Sequence, residues 1–251
     1  MNILMLMAGD SQRFADAGYP YPKNLVEIDG LPLVERVIGQ LGPLIAAGDR
    51  LVCMVRQEET AKFHTADVIR LLVPDATVVA VPDLDSGAAC TALLAIEQID
   101  PDEPLLVFNG DQVLTGGVQQ AIDDFRARKL DGGVIVFRAV HPRWSYVRTG
   151  EDDLVIEAAE KRPISTLATA GSYYFARGSD FVRAVMAMIL KDAHVQGRFF
   201  ICPAYNELIL EQARIGVYEI DRSSYFSLAT PQGVHQYEEH LTGRRPAGAA
   251  T

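Results

Sequence analysis

Small residues and two cations near the start of the chain have the types and spacing of a phosphate-binding site. The apolar run 2–7 stops at Ala8, Gly9, Asp10 and Ser11, and Arg13 and Lys23 follow. Such a run predicts a strand ending in a flexible, donor-rich loop, the place where open α/β sheets bind ligands. Glycine lets the backbone approach a ligand, and successive N–H groups can surround an anion. We therefore predict a polyphosphate site here; the alternative is an ordinary loop with both cations in solvent.

Asp111 is a candidate ligand for a divalent cation. It comes after the apolar run Leu105 to Phe108, through Asn109 and Gly110. Magnesium usually takes one or two protein carboxylates and completes its octahedron with phosphates and water. Spacing alone favours a simpler role, an aspartate that caps the turn after a strand.

Three further segments carry residues suited to small-molecule binding. The first is 85–91, where small residues open a predicted helix whose N-terminal amides could meet a flat base or a phosphate; a plain capped helix start explains it equally well. The second is the pair Glu160 and Lys161 at a strand end, which as solvated charge needs no further explanation. Arg143 and Trp144 could clamp a ligand, although an aromatic core contact is the simpler interpretation.

Composition limits the partners. The formal net charge of −10 argues against binding to nucleic acid or to an anionic membrane, so an anionic substrate would need a local cationic pocket. The apolar start is too short for a signal-peptide core, and no apolar stretch reaches the roughly 18 residues of a membrane helix. We expect a cytoplasmic protein with reduced cysteines and, because no histidine or cysteine pair has ligand spacing, no zinc site.

The order of elements predicts an α/β fold with a doubly wound, mostly parallel sheet. Val- and Leu-rich runs alternate with helical patterns up to about residue 130, and strand-like pieces then follow one another as an antiparallel addition. We predict a single domain over 1–241, with parts 1–130 and 131–241, and a flexible tail over 242–251. The predicted strands are 2–7, 50–55, 77–81, 104–108, 133–137, 145–148, 154–159, 171–175 and 216–220; the predicted helices are 31–41, 58–72, 88–99, 117–128, 179–191 and 203–212.

Six sequence segments resemble one enzyme family. They are A-G-x-x-x-R-F from Ala8, P-K at Lys23, G-A-A-C-T from Gly87, H-P-x-W-S-x-V-R from His141, A-E-K-x-P-I-S from Ala159 and C-P-x-Y-N-E from Cys202. Together they are similar to the sugar-phosphate nucleotidyltransferases, or NDP-sugar pyrophosphorylases. The closest likeness is to members from capsule and lipopolysaccharide gene clusters, some of them cytidylyltransferases. The matches extend over nearly the whole chain.

The resemblance implies a Rossmann-like nucleotidyltransferase fold, nucleotide binding by 1–130 and acceptor binding by 131–241. It also implies the reaction: an acceptor's phosphate attacks the α-phosphorus of a nucleoside triphosphate, CTP being slightly favoured, and pyrophosphate leaves. The acceptor would be a phosphorylated sugar or small alcohol for polysaccharide biosynthesis. The implied catalytic residues are Arg13, Lys23, Asp111 (with Mg²⁺) and Lys161; the nucleotide-binding residues are Ala8, Gly9, Asp10, Ser11, Gly87, Ala88, Ala89, Asn109 and Gly110; the acceptor-binding residues are Glu160, Lys161, Gly171, Arg143 and Trp144.

Two positions depart from the family pattern. Ser11 stands where members commonly carry a second glycine, and Ser227 stands where many carry a second metal-binding aspartate. Two alternatives therefore remain at the level of sequence: a glycosyltransferase that uses Asp83 and Asp85 as a D-x-D metal pair, and a catalytically silent nucleotide-binding regulator. Neither the acceptor nor the oligomeric state follows from the sequence, and a homo-oligomer is compatible with it.

Overall fold

Strands and helices alternate along the computed structural model, which describes residues 1–83 and 85–244. The strands are β1 (Asn2–Leu6), β2 (Glu27–Ile28), β3 (Leu31–Pro32), β4 (Arg50–Arg56), β5 (Thr77–Val81), β6 (Leu105–Asn109), β7 (Gln112–Leu114), β8 (Gly132–Arg138), β9 (Ser145–Thr149), β10 (Val155–Glu160), β11 (Leu167–Phe175), β12 (Ile215–Glu219) and β13 (Tyr225–Ser227). The helices are α1 (Gln12–Asp16), α2 (Leu33–Gly39), α3 (Gly42–Ala46), α4 (Gln57–Phe63), α5 (Thr65–Leu72), α6 (Ala88–Leu93), α7 (Val118–Ala127), α8 (Gly178–Leu190), α9 (Tyr205–Leu210) and α10 (Pro231–Arg244).

Nine of the strands in the described residues form one mixed sheet. Its order is β10-β9-β11-β6-β1-β4-β5, with β8 beside β11 and β12 beside β8. Strands β6, β1, β4 and β5 are parallel, whereas β11 runs antiparallel to β6, β8 and β9. The predicted fold class is confirmed: a parallel N-terminal half is extended by antiparallel strands that begin after residue 131.

Helices cover both faces of the sheet, which explains why the central strands are apolar without alternation. In β1, Ile3 and Met5 face a core that includes helices α2, α5 and α7, while Leu4 faces a second core that includes α6, α8 and α9. All nine residues of β11 are buried. None of the helices in the described ranges is long and apolar enough to span a lipid bilayer.

Several predicted helices have different limits in the structure. The pattern over 58–72 forms two helices, because His64 adopts a left-handed conformation (φ +57°) between α4 and α5. The helix predicted from residue 31 begins at Leu33, since Leu31–Pro32 pairs with Glu27–Ile28 in a small hairpin. The helix predicted over 88–99 ends at Leu93.

A second small sheet closes the end of the fold. Strand β13 pairs antiparallel with β7, and α10 packs near it; none of these three elements was predicted. Helix α10 includes residues 242–244, the first part of the predicted tail, and the remainder of that tail lies outside the described residues.

Candidate active site

The carboxyl ends of β1 and β6 bring the two main candidate segments together. These parallel strands are adjacent, with Leu6 opposite Asn109. The backbone N–H of Gly110 donates to the carbonyl of Leu6 at 2.8 Å. A Cβ on Gly110 would lie 2.4 Å from the side chain of Met7, so only glycine permits this approach. Asp111 therefore lies directly beside the loop that follows β1.

The loop is held in place through its carbonyl groups. Asn24 Nδ2 donates to the carbonyl of Met7 at 3.0 Å, and Arg56 Nε donates to that of Ala8 at 3.1 Å. These bonds fix the loop from two neighbouring elements of the fold.

The loop is shorter than the sequence suggested. The carboxylate of Asp10 accepts the backbone N–H of Gln12 at 2.9 Å, and helix α1 starts at Gln12. The residues that follow Ser11 were expected to continue the flexible loop as far as Arg13, and this expectation is wrong: Arg13 lies on helix α1, which sets its position.

Lys23 is buried and paired with Asp111. Its Nζ lies 2.7 Å from Asp111 Oδ2; the Lys23 side chain is 4% exposed and that of Asp111 is 28% exposed. A Cβ on Gly9 would lie 2.8 Å from the same Nζ. Gly9 is thus the residue that leaves room for the ammonium group to lie against the loop and reach the carboxylate.

Ser11 connects the loop to the segment that carries Lys23. Its Oγ accepts the backbone N–H of Lys23 at 3.0 Å and donates to Glu59 Oε1 at 3.3 Å. Asn24 donates to the other oxygen of Glu59 at 2.8 Å. Burial raises the pKa of Glu59, against the opposing effects of these two hydrogen bonds and of the charges on Lys23 and Arg56. The serine hydroxyl, which a glycine could not supply, therefore positions Lys23.

A cluster of hydroxyl groups lies around the partly buried carboxylate of Glu160 at the other end of the site. Ser145 donates to Glu160 Oε2, and the hydroxyls of Thr169 and Tyr173 lie 2.9 Å apart. Burial raises the pKa of Glu160, while the hydrogen bond from Ser145 and the charge of Lys161 lower it. Such a cluster can exchange hydrogen bonds with the hydroxyl groups of a sugar or small alcohol.

Gly171 has a positive φ of 65° on the strand that supplies Thr169 and Tyr173. A Cβ at this position would lie 2.4 Å from Asn109 Nδ2 and 2.4 Å from Gln112 Oε1. The glycine therefore leaves room for the side chains of Asn109 and Gln112, from β6 and β7, to pack against β11.

Lys161 lies at the rim. It has a positive φ of 54°, its backbone N–H donates to the carbonyl of Trp144 at 3.0 Å, and its Nζ lies 4.9 Å from the centre of the Phe200 ring. The guanidinium of Arg143 stacks on Trp144 at 4.3 Å. Aromatic rings thus orient two cations beside the hydroxyl cluster.

The small-residue segment closes the remaining side. Gly87 has φ +97°, and a Cβ there would lie 2.3 Å from the carbonyl oxygen of Phe199, which also accepts the N–H of Ala89 at 3.0 Å. Ala89 is fully buried. Asp85 pairs with Arg198.

These segments enclose one cavity of about 460 Å³. Of the predicted residues, those that line it are Ala8, Gly9, Asp10, Gly87, Ala88, Asn109, Asp111, Arg143, Trp144, Glu160 and Gly171. Six predicted residues do not line it. Four of them lie behind its wall (Ser11, Lys23, Ala89 and Gly110), and Lys161 lies at its rim. The sixth, Arg13, lines a second, adjoining cavity. The cavity thus brings together 11 of the predicted residues from segments far apart in the chain, among 24 residues that line it.

Asp111 is the residue best placed to hold a metal ion. No group of three or more His, Cys, Asp or Glu side chains within 1–83 and 85–244 could form a preformed site. Asp111 offers a single carboxylate at the cavity wall, and the side-chain amide of Asn109 lies at the same wall. This arrangement fits a magnesium ion that would be bound jointly by the protein, phosphate oxygens and water. In the D-x-D pair, Asp83 pairs with Arg56 and Asp85 with Arg198, and only Asp85 lines the cavity, so the two carboxylates do not face it together.

Sequence reasoning missed several residues of the cavity. Thr169 and Tyr173 line it, and they lie two positions before and after the predicted Gly171, so the period of a strand could have identified them. Ser145 belongs to a quoted motif but was given no role. Arg198 and Phe200 come from a segment with no sequence signal that we recognise.

Comparisons with known proteins agree with this geometry. A family model described as the MobA-like NTP transferase domain matches residues 3–178. A structure of a nucleoside-diphosphate-sugar pyrophosphorylase from Vibrio cholerae RC9 aligns with a TM-score of 0.82 and 28% identity, covering 94% of this chain and 99% of that one. A Bacillus anthracis protein, provisionally named a glucose-1-phosphate thymidylyltransferase and solved with sucrose, aligns with a TM-score of 0.72 and 18% identity, covering 99% and 97%. No curated protein sequence matches the chain.

Proposed function

The chain belongs to the family of MobA-like NTP transferases, and we propose that it transfers a nucleotidyl group to a phosphorylated sugar or small alcohol, releasing pyrophosphate. One observation carries the proposal. A single cavity has a glycine loop beside Asp111 at one end and the Glu160 hydroxyl cluster at the other. The first end suits phosphates and the second suits hydroxyl groups, so the cavity matches the two substrates of such a transfer.

In the proposed reaction, an oxygen of the acceptor's phosphate attacks the α-phosphorus of the triphosphate in line. A new P–O bond forms, the bond to the bridging oxygen of the β-phosphate breaks, and pyrophosphate leaves with both electrons of that bond. No covalent intermediate on the protein is needed. Catalysis then consists of positioning and of stabilising negative charge.

Each part of the cavity has a proposed task. The Gly9 loop holds the phosphates, and Lys23 fixes the Asp111 carboxylate from behind the loop. Asp111 would hold Mg²⁺, which would neutralise charge on the phosphates. The segment Gly87 to Ala88 packs against the base, while Glu160 binds acceptor hydroxyls. Lys161 and Arg143 at the rim reduce repulsion as the acceptor's phosphate approaches; in this scheme residues 1–130 bind the nucleotide and 131–241 bind the acceptor.

We propose CTP as the preferred triphosphate and a product used in cell-surface polysaccharide synthesis. This finer assignment depends on the likeness of the quoted motifs to cytidylyltransferases of capsule and lipopolysaccharide clusters. The Vibrio cholerae structure, named for nucleoside-diphosphate sugars, supports the general class of product.

A pyrophosphate-release assay tests the proposal. The protein is incubated with Mg²⁺, each of the four common triphosphates in turn, and a pool of sugar and polyol phosphates. We expect release with one triphosphate, dependent on the pool and abolished by Asp111→Asn. Nucleotide binding in a thermal-shift assay without pyrophosphate release from a broad panel would refute the enzyme and favour a silent binding protein.

A further inference from the structure

We propose that Glu59 is a positioning residue for nucleotide binding, because its carboxylate holds both ends of the Gly9 loop (residues 7–11). The identity of the ligand rests on the proposed function, whereas the contacts of Glu59 do not depend on it. Glu59 lies on helix α4 and is 4% exposed. It lines neither the first nor the second cavity, so any effect on a substrate must pass through the loop.

The backbone of the Gly9 loop has its first carbonyls bound and its N–H groups unbound. The carbonyls of Met7 and Ala8 accept hydrogen bonds from Asn24 and Arg56. By contrast, the backbone N–H groups of residues 8–11 donate no hydrogen bond within the part of the chain that the structure describes. Successive N–H groups of this kind can surround an anion. The contacts that hold the rest of the loop therefore determine how these donors are presented to a phosphate.

The two oxygens of the Glu59 carboxylate hold opposite ends of this loop. At the far end, Ser11 Oγ donates to Oε1 at 3.3 Å. At the near end, Asn24 Nδ2 donates to Oε2 at 2.8 Å and also to the carbonyl of Met7 at 3.0 Å. Because one rigid carboxylate accepts both bonds, it holds the start and the end of the loop at a fixed separation.

Glu59 and Ser11 depend on each other. A buried carboxylate raises the energy of the fold unless hydrogen bonds satisfy it. The charges of Lys23 and Arg56 favour the Glu59 anion, but within the described residues its hydrogen bonds come from Ser11 and Asn24. A glycine at position 11, common in the family that the sequence resembles, could not supply the hydroxyl. The departure at Ser11 is thus one half of a contact that Glu59 completes.

The contacts of Glu59 extend toward the triphosphate end of the first cavity. Ser11 Oγ also accepts the backbone N–H of Lys23 at 3.0 Å, and Lys23 pairs with Asp111 at 2.7 Å. The hydroxyl cluster around Glu160 is built instead from β9, β10 and β11, and none of the contacts just described reaches these strands. A change at Glu59 should therefore weaken binding of the triphosphate and leave binding of the acceptor unchanged.

Two variants separate the reach of the Glu59 side chain from its charge. Glu59→Asp keeps the charge but is one methylene too short to contact both Ser11 and Asn24. Glu59→Gln loses the charge but keeps the reach, since its oxygen can accept from Asn24 and its amide can donate to Ser11 Oγ. Calorimetric titration of sodium tripolyphosphate into the full chain, with Mg²⁺ present, measures phosphate binding without a base. We expect Glu59→Asp to weaken this binding by about fivefold or more and Glu59→Gln by less than about twofold.

Glu58→Asp is the matched control, because Glu58 is the exposed neighbour on the same helix and makes no hydrogen bond with the loop in the described chain. It should bind tripolyphosphate as the parent does. In steady-state assays of pyrophosphate release, Glu59→Asp should raise the KM for the triphosphate and leave the KM for the acceptor unchanged. An equal rise in both would indicate general loosening of the fold and would overturn the inference.

Other outcomes separate the possible errors. If Glu59→Asp melts early, Ser11→Gly takes its place, because it removes one of the two contacts and leaves the carboxylate intact. Tripolyphosphate affinity that neither change alters, or a parent chain that does not bind tripolyphosphate, would overturn the inference. So would a loss in Glu59→Gln without one in Glu59→Asp, since charge alone would then matter. Tripolyphosphate binding that depends on Glu59, in a protein that never releases pyrophosphate, would instead refute the proposed function and leave the role of Glu59 standing.

Discussion

Breaking the ion pair between Lys23 and Asp111 should destabilise the protein as well as inactivate it. In Asp111→Asn the buried ammonium of Lys23 loses its charged partner 2.7 Å away. Removing one partner of a fully buried pair costs about 3–5 kcal/mol. Because Asp111 is 28% exposed and an asparagine oxygen still accepts a hydrogen bond, we expect about 2 kcal/mol here.

The companion variant Lys23→Met should cost less. It leaves the charge on Asp111, whose partial exposure lets water replace the lost ammonium, so we expect about 1 kcal/mol. The double variant removes both charges and should be less destabilised than the sum of the single variants by about 1 kcal/mol or more.

Urea unfolding at neutral pH and low salt, without Mg²⁺, measures these differences. The two singles, the double and the parent protein form a double-mutant cycle. Strict additivity, within about 0.3 kcal/mol, would show that the two groups do not interact and would refute the buried pair. All three variants should also fail to release pyrophosphate, and retention of activity by Asp111→Asn would refute the role of Asp111 in metal binding.

Three other substitutions test separate parts of the site. Ser11→Ala removes the acceptor of the Lys23 backbone N–H, so we expect a lower kcat and about 1 kcal/mol less stability, whereas unchanged kinetics would show that the serine is dispensable. Burial raises the pKa of Glu160, so the carboxylate that we expect to bind the acceptor becomes protonated as the pH falls through that raised pKa. The KM for the acceptor should therefore rise as the pH falls through this range. Glu160→Gln should make KM independent of pH in the same range. Gly87→Ala places a Cβ 2.3 Å from the carbonyl of Phe199 at φ +97°, so we expect a loss of about 2 kcal/mol in stability and weaker nucleotide binding, measured by thermal shift with and without CTP; full retention of both would contradict the close packing.

The long elements of the fold could be predicted from sequence because each buries a continuous or periodic apolar surface. Strand β5 was predicted with its observed limits, and β4 and β12 within one residue. The pairing of β2 with β3 and of β7 with β13 could not be predicted, because strands of two or three residues are too short to show an alternation of apolar and polar residues. The left-handed His64 also gives no sequence signal, because glycine or asparagine is the usual residue for that conformation.

Several residues of the candidate site could be predicted from the sequence, but their burial and their contacts with one another could not. Motif residues such as Gly9, Asp111 and Glu160 do line one cavity. The sequence could not show that Lys23 is 4% exposed and already paired, or that the hydroxyl of Ser11 holds its backbone. Both facts depend on which groups the fold places at hydrogen-bonding distance, and spacing along the chain does not determine that.

Spacing along the chain also does not determine which charged side chains form ion pairs. For this reason the cationic lining of the second cavity could not be predicted from the sequence. The sequence contains 23 basic and 33 acidic residues, so by composition every cation could be neutralised. The fold instead leaves Arg13, Arg143 and Arg222 without carboxylate partners among the described residues, and all three line one cavity. Uncompensated like charges that lie close together raise the energy of the folded protein, since each repels the others.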